Sequence, residues 1–210
     1  MTISTNKPRR GRPPKVSRES LDTKTELIRS GLQQLTEHGF TASGIDQILK
    51  NVGVPKGSFY YYFTNKEAFG QAVINNYATY FANKLDIFLL DESYPPLTRI
   101  SNFVEDAKIG MSRHQFKRGC LIGNLGQEVD LLPENFRQQL IDIFIHWQQC
   151  LAKCLKEAQD KGDISITANC ELISEYFWIG WEGAVSRAKL VQNTTPLVNY
   201  LNQFILGLPK

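Results

Sequence analysis

The stretch VGVPKGSFYYYFTNKEAF, residues 52–69, decides the predicted fold. Gly53 separates two short segments with helical periodicity, which we predict as helices over about 45–52 and 55–61. Two short helices joined by a tight glycine turn have the dimensions of a helix-turn-helix. In that motif the first helix crosses the phosphate backbone of DNA and the second enters the major groove. The stretch therefore predicts a DNA-binding head.

Three consecutive tyrosines lie on the second predicted helix. Because successive side chains on a helix point about 100° apart, they cannot all face one core. If Phe59, Tyr62 and Phe63 pack inward, Tyr60 and Tyr61 face outward. A phenol can bond a phosphate oxygen or lie against a thymine methyl group. The alternative is that all three tyrosines belong to the core around a short connecting helix.

Positive charge surrounds the same stretch. Lys56, Gly57 and Ser58 stand at the start of the second helix, where free N–H groups favour phosphate. Lys66 stands at the start of the next helix and can reach the same DNA backbone. Residues 1–66 carry 11 Lys and Arg against 5 Asp and Glu, whereas the remaining residues carry 13 against 16. A basic head on a mildly acidic body indicates contact with a polyanion.

Residues 1–20 are predicted to form a disordered basic arm, since they combine prolines and basic residues with almost no apolar ones. The run Arg10-Gly11-Arg12-Pro13 resembles the core of an AT-hook. There an extended backbone lies in a narrow minor groove with arginines on either side. Arg10 and Arg12 are therefore predicted DNA contacts. The alternative is a basic tail without a defined binding mode.

The whole protein, including the head, is predicted to be all-α with about nine helices. Helical periodicity continues from about residue 22 onward, and no segment alternates in the manner of a strand. We predict a helix-turn-helix domain over residues 21–66 and a ligand-sensing and dimerisation domain over residues 67–210. The basic arm precedes both.

Local signals place the helix boundaries. Capping patterns predict helix starts at Thr23, Ser43 and Thr64. Gly39 is predicted to end the first helix, because glycine adopts the left-handed conformation of a helix C-terminus. The later helices are predicted around residues 97–114, 120–130, 134–160, 168–191 and from 195 onward.

Residues 39–69, GFTASGIDQILKNVGVPKGSFYYYFTNKEAF, resemble the DNA-binding head of the TetR family of bacterial repressors. The similarity extends from about Thr25 to Ala72, and the order and spacing of the family positions agree throughout. Two positions depart from the pattern. The family usually has Ala where this chain has Val52, which is a packing change. It often has His where this chain has Tyr61, a position that commonly reaches the DNA, so the operator preference does not carry over.

The resemblance implies a TetR-like homodimer on a palindromic double-stranded DNA operator. Its two heads would lie in successive major grooves, about 34–36 Å apart. It also implies a small-molecule effector that binds the body. Phosphate contacts are implied for Thr41, Ser43, Tyr60 and Lys66. Base-edge contacts are implied for Lys56, Ser58 and Tyr61.

In the family the last two helices form the dimer seam. Here the helix around residues 170–191 carries small side chains that permit close helix approach, and the final helix is apolar. We expect these two helices to form a four-helix interface with their symmetry mates. The alternative is a monomeric core. The candidate interface residues are Gly180, Gly183, Ala184, Leu197, Leu201 and Phe204.

Cys120 is the candidate sensor. It follows Lys117 and Arg118 at the predicted start of a helix, and both features are expected to lower the pKa of its thiol. The segment Gly119-Cys120-Leu121 resembles that of TetR-type regulators that respond to N-ethylmaleimide, reactive chlorine or acrylate. One alternative is that Cys120 is a small buried apolar residue. Another is that Arg118 pairs with a carboxylate ligand such as acrylate.

Large side chains of the body are candidates for the wall of a ligand cavity. These are Trp147, Tyr176 and Trp178, although aromatic residues at helical spacing pack in a core more often than they line a pocket. Cys150 and Cys154 share the apolar face of their helix with Trp147, so we predict that they are core residues.

Composition argues against several classes of protein. The four cysteines form no C-x-x-C pair, so neither a metal site nor a cofactor is expected. No apolar run approaches the roughly 18 residues that span a bilayer. The basic start lacks the apolar segment of a secretory signal. These features predict a cytoplasmic protein with no membrane partner.

Together the patterns predict a dimeric transcriptional repressor that a small molecule releases from its operator. That molecule could be an electrophile sensed through Cys120. The alternative is a regulator that binds a carboxylate or similar ligand reversibly, without thiol chemistry. A more remote alternative is a cysteine-dependent enzyme, for which Cys120 would need a base such as His114. The protein is predicted not to be an enzyme.

Overall fold

The computed structural model describes residues 20–210, and the predicted disordered arm with Arg10 and Arg12 lies outside this range except for its last residue. Within it the chain forms nine α-helices, one 3₁₀ turn and no strand, which confirms the predicted all-α class. The helices are α1 Ser20–Ala42, α2 Ile45–Val52, α3 Lys56–Tyr62, α4 Lys66–Leu89, α5 Pro96–Arg113, α6 Leu121–Gly126, α7 Glu134–Asp160, α8 Cys170–Val191 and α9 Thr195–Leu206, with the 3₁₀ turn at Val129–Leu131.

The first three helices are held against the start of α4 by aromatic rings. Phe59 of α3 is fully buried, and its ring centroid lies 5.4 Å from that of Phe63 and 5.2 Å from that of Phe69 on α4. The inward direction predicted for Phe59 and Phe63 is confirmed. Because these rings fill the space behind α3, the opposite side of that short helix faces away from the core.

Gly39 kinks α1 near its end. Its backbone has φ 82° and ψ 174°, a left-handed region that favours glycine. Helical structure resumes only briefly, to Ala42, so the predicted end of the first helix at Gly39 agrees with the change of backbone direction. The kink turns Phe40 into the body, where its ring lies edge-on to Phe136 at 5.1 Å.

The predicted capping residues need correction. Helix α1 already begins at Ser20, so Thr23 lies inside it and is buried. Ser43 does not cap α2, because its hydroxyl donates to the Gly39 carbonyl oxygen. Helix α4 is capped by Asn65 rather than Thr64; its Oδ1 accepts from the Ala68 N–H at 2.7 Å. Asparagine caps as well as serine or threonine does, and the sequence pattern does not choose between adjacent candidates.

The core of the body is a cluster of rings from four helices. The ring centroid of Phe81 on α4 lies 4.2 Å from that of Trp147 on α7. The Trp147 centroid lies 5.1 Å from that of Trp178 on α8. Phe103 of α5 packs edge-on against Trp178 at 5.8 Å. Burying large aromatic side chains supplies much of the free energy that stabilises such a bundle.

Gly39→Ala tests the kink. An alanine there would adopt a disfavoured left-handed conformation, and its Cβ would lie 1.9 Å from Glu128 Oε1. We expect the free energy of unfolding in urea to fall by about 2 kcal/mol or more. Gly126→Ala at the end of α6 is the matched control, because its Cβ would meet nothing within 4 Å. Equal effects of the two substitutions would contradict this reading of Gly39.

Candidate DNA-binding surface and effector cavity

The outer side of α3 exposes two of the three tyrosines. Tyr60 is 50% and Tyr61 is 77% exposed, which confirms the outward direction predicted for both. Tyr62 is half-buried, and its ring lies edge-on to that of Tyr61 at 4.8 Å. Tyr62 therefore packs partly against the core, whereas Tyr60 and Tyr61 face solvent, and Tyr61 is the more exposed of these two.

The start of α3 is open to a close approach. Lys56 is 64% exposed in its side chain, and its ammonium lies only loosely near Asp46, at 4.0 Å. Gly57 is exposed, and a Cβ there would meet no heavy atom within 4 Å. Ser58 is half-buried. With Tyr60 and Tyr61 these residues form one surface, which we call the α3 surface.

The remaining predicted DNA contacts, Thr41, Ser43 and Lys66, differ in how accessible their side chains are. Thr41 is exposed. Ser43 is buried with its hydroxyl donating to the Gly39 carbonyl oxygen, so the fold does not favour the predicted phosphate contact from this side chain. Lys66 lies against the end of α1, with Nζ 3.4 Å from the Thr41 carbonyl oxygen and 4.5 Å from the centre of the Phe40 ring. Burial lowers the pKa of Lys66, and the Glu128 carboxylate opposes this shift.

Glu128, two residues beyond the end of α6, joins the body to the head. Its Oε1 accepts from the Phe40 N–H at 3.0 Å, and its Oε2 accepts from the Thr41 N–H at 2.8 Å. The Gly39 kink frees both amides from the helix, and the carboxylate satisfies them together. Hydrogen bonds to a charged group contribute about 1.5–3 kcal/mol each. We call this arrangement the Glu128 clamp.

Further contacts tie the same part of α1 to the body. The Asn124 side chain on α6 donates to the Thr36 carbonyl oxygen at 2.7 Å, and Lys189 of α8 approaches that oxygen at 3.5 Å. Arg118, before α6, donates from Nε to Glu37 Oε1 at 2.8 Å. Both ends of α6 and its middle therefore hold the end of α1.

A cavity of about 330 Å³ opens between α1, α4, α5, α8 and the segment before α6. Its apolar wall includes Tyr77, Phe81, Phe103 and Trp181, and Cys120 lies in the same wall. This size and lining suit a small ligand with an apolar part, since such sites combine an apolar wall with a few polar groups.

Charged side chains surround the mouth of the cavity. Lys84 forms an ion pair with Asp106, and Arg118 is held by Glu37. Arg113 and His114 also line the cavity. Burial lowers the pKa of His114, and the positive charges of Arg118 and Arg113 lower it further. The predicted Arg118 therefore lies at the cavity, but its guanidinium already has a carboxylate partner.

The environment of Cys120 is opposite to the predicted one. The residue is the N-cap of α6 and is only 7% exposed, and its Sγ accepts from the Gly123 N–H at 3.4 Å. Burial raises the pKa of its thiol well above the ordinary value, and the Glu182 carboxylate raises it further. The prediction of a lowered pKa is wrong because Arg118 pairs with Glu37 and the charge next to the sulfur is negative.

Glu182 of α8 is the residue at this site that sequence reasoning missed. Burial raises its pKa to about 7. Its Oε1 is buried and has no hydrogen-bond partner in the part of the chain that the structure describes. A Cβ on Gly123 would lie 1.4 Å from Glu182 Oε2, so the carboxyl occupies space that this glycine leaves open. A lone glutamate on a hydrophobic helix stretch was the only sequence signal.

The other predicted cavity residues lie elsewhere. Trp147 and Trp178 are buried in the aromatic core and do not line the cavity, whose tryptophan is Trp181. Tyr176 is 65% exposed on the outer side of α8. All three predictions are corrected: Trp147 of α7 and Trp178 of α8 are covered by neighbouring rings, and Tyr176 lies on the face of α8 that points away from the cavity. Cys150 and Cys154 are buried, as predicted.

Some of the predicted dimer residues are covered within the chain itself, and others stay accessible. Leu197 and Phe204 are buried within the chain, and Ala184 is nearly so. Gly180 allows Tyr200 of α9 to approach, since a Cβ there would lie 2.4 Å from its ring. Leu201 is half-buried and Gly183 is exposed. The exposed stripe of α8, which we call the outer α8 stripe, consists of Leu172, Tyr176, Ile179, Gly183 and Leu190.

Comparison with known proteins agrees with this architecture. Residues 27–73 match the model of bacterial regulatory proteins of the tetR family, and residues 96–204 match the tetracyclin repressor-like C-terminal domain. The transcriptional regulator AcuR of Cereibacter sphaeroides is 50% identical over 94% of this chain and 90% of its own length. The chain therefore belongs to the TetR family, whose members are transcriptional regulators and not enzymes.

Solved structures extend the likeness to three dimensions. The regulatory protein TetR from Rhodobacter sphaeroides has a TM-score of 0.87 and 48% identity, over 89% of this chain and 98% of that one. NemR from E. coli, solved in its reduced form, has a TM-score of 0.76 and is 28% identical. The similarity covers 87% of this chain and 95% of the NemR chain.

Among residues 20–210 no group of three or more His, Cys, Asp and Glu side chains is placed to hold a metal ion. No helix in that range is long and apolar enough to cross a bilayer.

Glu182→Gln tests the raised pKa of this carboxyl. Because the folded-state pKa is about 7 against an ordinary 4.5, protonated Glu182 favours the fold. Its stabilising contribution is complete below about pH 4.5 and is lost as pH rises through about 7. We expect wild type to lose about 3 kcal/mol of unfolding free energy across this window relative to Glu182→Gln.

Urea unfolding at one protein concentration and several pH values measures this difference. Glu105→Gln, which removes an exposed carboxyl from α5, is the control. Parallel pH curves for wild type and Glu182→Gln would show that Glu182 is ionised in the fold as it is in water.

Proposed function

We propose that this protein is a sequence-specific repressor that binds a palindromic operator as a homodimer and leaves it when a small molecule enters the body. The α3 surface carries the proposal. Lys56, Tyr60 and Tyr61 extend from a short helix whose other side packs against the core. Both tyrosines are at least half exposed, and the Lys56 ammonium makes only a loose contact with Asp46 at 4.0 Å. Such residues suit phosphate and base-edge contacts in a major groove.

The outer α8 stripe supports the homodimer. Its large members, Leu172, Tyr176, Ile179 and Leu190, repeat at helical spacing and are all exposed. Contiguous exposed apolar surface of this kind marks an interaction site. A second copy of the same stripe would cover it in a symmetric interface. The two heads would then lie at a fixed separation, as a palindromic operator requires.

Helix α6 is the proposed link between effector and head. Cys120 stands at its start on the wall of the cavity, and the Glu128 clamp stands just past its end on the head. A ligand that displaces the start of α6 also displaces Glu128. Because affinity for two grooves depends on the spacing of the heads, a small displacement weakens operator binding.

The proposed effector is an electrophile that modifies Cys120. The thiol lines the cavity next to groups that can take part in its chemistry. The relative NemR was solved in a reduced form, which supports thiol chemistry in this branch of the family. The alternative is reversible binding of a small carboxylate. It is favoured by Arg113, which lines the cavity and would face the negative charge of the ligand.

Substitutions on the α3 surface test operator binding. Lys56→Ala and Tyr61→Ala should each weaken binding to a duplex selected by the protein from random DNA by about tenfold or more. Fluorescence anisotropy at fixed salt measures the affinity. Lys108→Ala, which removes a positive charge from α5, is the control and should bind as wild type does. Wild-type protein that binds all duplexes equally would contradict a sequence-specific repressor.

Cys120→Ser tests the sensor. Wild-type protein treated with N-ethylmaleimide should release the selected duplex, whereas Cys120→Ser should bind it normally and remain bound after treatment. Cys170→Ser, another buried cysteine, is the control and should behave as wild type does. Release of the Cys120→Ser protein by N-ethylmaleimide would contradict a thiol switch at Cys120.

A further inference from the structure

We propose that Glu182 accepts the proton of the Cys120 thiol when the sulfur adds to an activated alkene in the cavity. The buried cysteine would then react as a thiol with its own base, rather than as a thiolate formed in advance. This inference rests on the proposed function of Cys120 as an electrophile sensor, and it adds the residue that makes a buried thiol reactive.

The groups around the sulfur have complementary roles. The Gly123 N–H donates to Sγ at 3.4 Å. The Tyr77 hydroxyl lies beside the same sulfur, where it can donate a second hydrogen bond. The Glu182 carboxyl, which lies against Gly123, interacts with the same thiol as a hydrogen-bond acceptor, so it can accept the thiol proton. One acceptor for the proton and two donors to the sulfur are the groups that stabilise negative charge as it develops on sulfur.

Glu182 is placed for proton transfer rather than for packing. Its Oε1 has no hydrogen-bond partner among the described residues, and a buried ionised oxygen without a partner is costly. A proton on this carboxyl removes that cost. Gly123 makes the approach possible, since any side chain there would meet Oε2. The titratable groups that interact with Glu182 in the described chain are Cys120, before α6, and Tyr77, on α4.

The addition balances without an oxidant or a metal. The sulfur lone pair forms a bond to the alkene carbon that is β to the activating carbonyl, and the alkene π bond breaks. The thiol proton passes to the Glu182 carboxylate as this bond forms. The electron pair of the π bond moves onto the carbon next to the activating carbonyl. That carbon then takes a proton from Glu182, which restores the carboxylate and leaves a thioether on Cys120.

A purely electrostatic role for Glu182 makes the opposite prediction. The negative carboxylate disfavours the thiolate, so its removal would raise the fraction of thiolate and speed the reaction. Removal of a base slows the reaction instead. The sign of the change in rate therefore separates the two roles.

The experiment measures the rate at which N-ethylmaleimide modifies Cys120 in the full-length protein, with intact mass spectrometry for the rate and peptide mapping for the site. At a pH near 7.5, Glu182→Gln should react at no more than about a tenth of the wild-type rate, as expected for loss of a general base. Glu105→Gln should react at the wild-type rate. A Glu182→Gln rate equal to or above that of wild type would overturn the proposal.

The pH profile gives an independent readout. The wild-type rate should rise with a midpoint near the Glu182 pKa of about 7, and Glu182→Gln should lack this midpoint. Tyr77→Phe should lower the rate and keep the midpoint. The same midpoint in Glu182→Gln would overturn the proposal. If Glu182→Gln does not fold, Glu182→Asp withdraws the carboxyl from the sulfur; it should react more slowly, and an unchanged rate would overturn the proposal.

The proposed function is judged by a different measurement. Wild-type protein that forms the adduct but stays on its operator would contradict Cys120 as the sensor, while the rates of adduct formation would still decide the role of Glu182. Wild-type protein whose Cys120 forms no adduct at any pH would overturn both.

Discussion

The clamp between Glu128 and the amides of Phe40 and Thr41 is the contact on which the arrangement of head and body depends. It needs two unusual features at once. Gly39 adopts a positive φ that frees the two amides, and it lacks the Cβ that would strike the carboxylate. The clamp stands at one end of α6 and Cys120 at the other. A six-residue helix is about 9 Å long, so the cavity wall and the head are joined over a short, stiff element.

Burial of acidic groups sets the resting state of the cavity. Cys120 and Tyr77 have pKa values raised well above their ordinary ranges, and Glu182 titrates near neutral pH. The thiol is therefore neutral until a reaction begins. A neutral buried thiol resists adventitious oxidation better than an exposed thiolate does, because oxidation follows thiolate character and exposure. Reactivity toward a ligand that fills the cavity then depends on a neighbouring base.

The helix-turn-helix was predictable from residues 52–69 because its signals are local. A glycine turn, a 3.6-residue period and a tyrosine run identified α3 and the outward direction of Tyr60 and Tyr61. Glu128 and Glu182 could not be found in this way. Their partners lie 88 and 62 positions away along the chain, at Phe40 and Cys120, and only the fold brings them together.

The dimer residues show a different limit. Small residues on α8 were taken to mark a seam with a partner, but Gly180 admits Tyr200 of the same chain. Periodicity reveals that a helix has several apolar faces, and it does not reveal which of them the chain itself covers. The lowered pKa predicted for Cys120 failed for a related reason. Neighbours in sequence were counted as neighbours in space, whereas Arg118 turns toward Glu37.

The link through α6 is tested most directly by operator affinity in Glu128→Gln, measured before and after alkylation of Cys120 with N-ethylmaleimide. In a glutamine one of the two carboxylate oxygens is replaced by an NH₂ group, which donates and cannot accept from the amide that this oxygen served. If the clamp carries the signal, alkylation should weaken wild-type binding by about tenfold or more and change the binding of Glu128→Gln far less. An equal loss of affinity in both proteins would contradict the account.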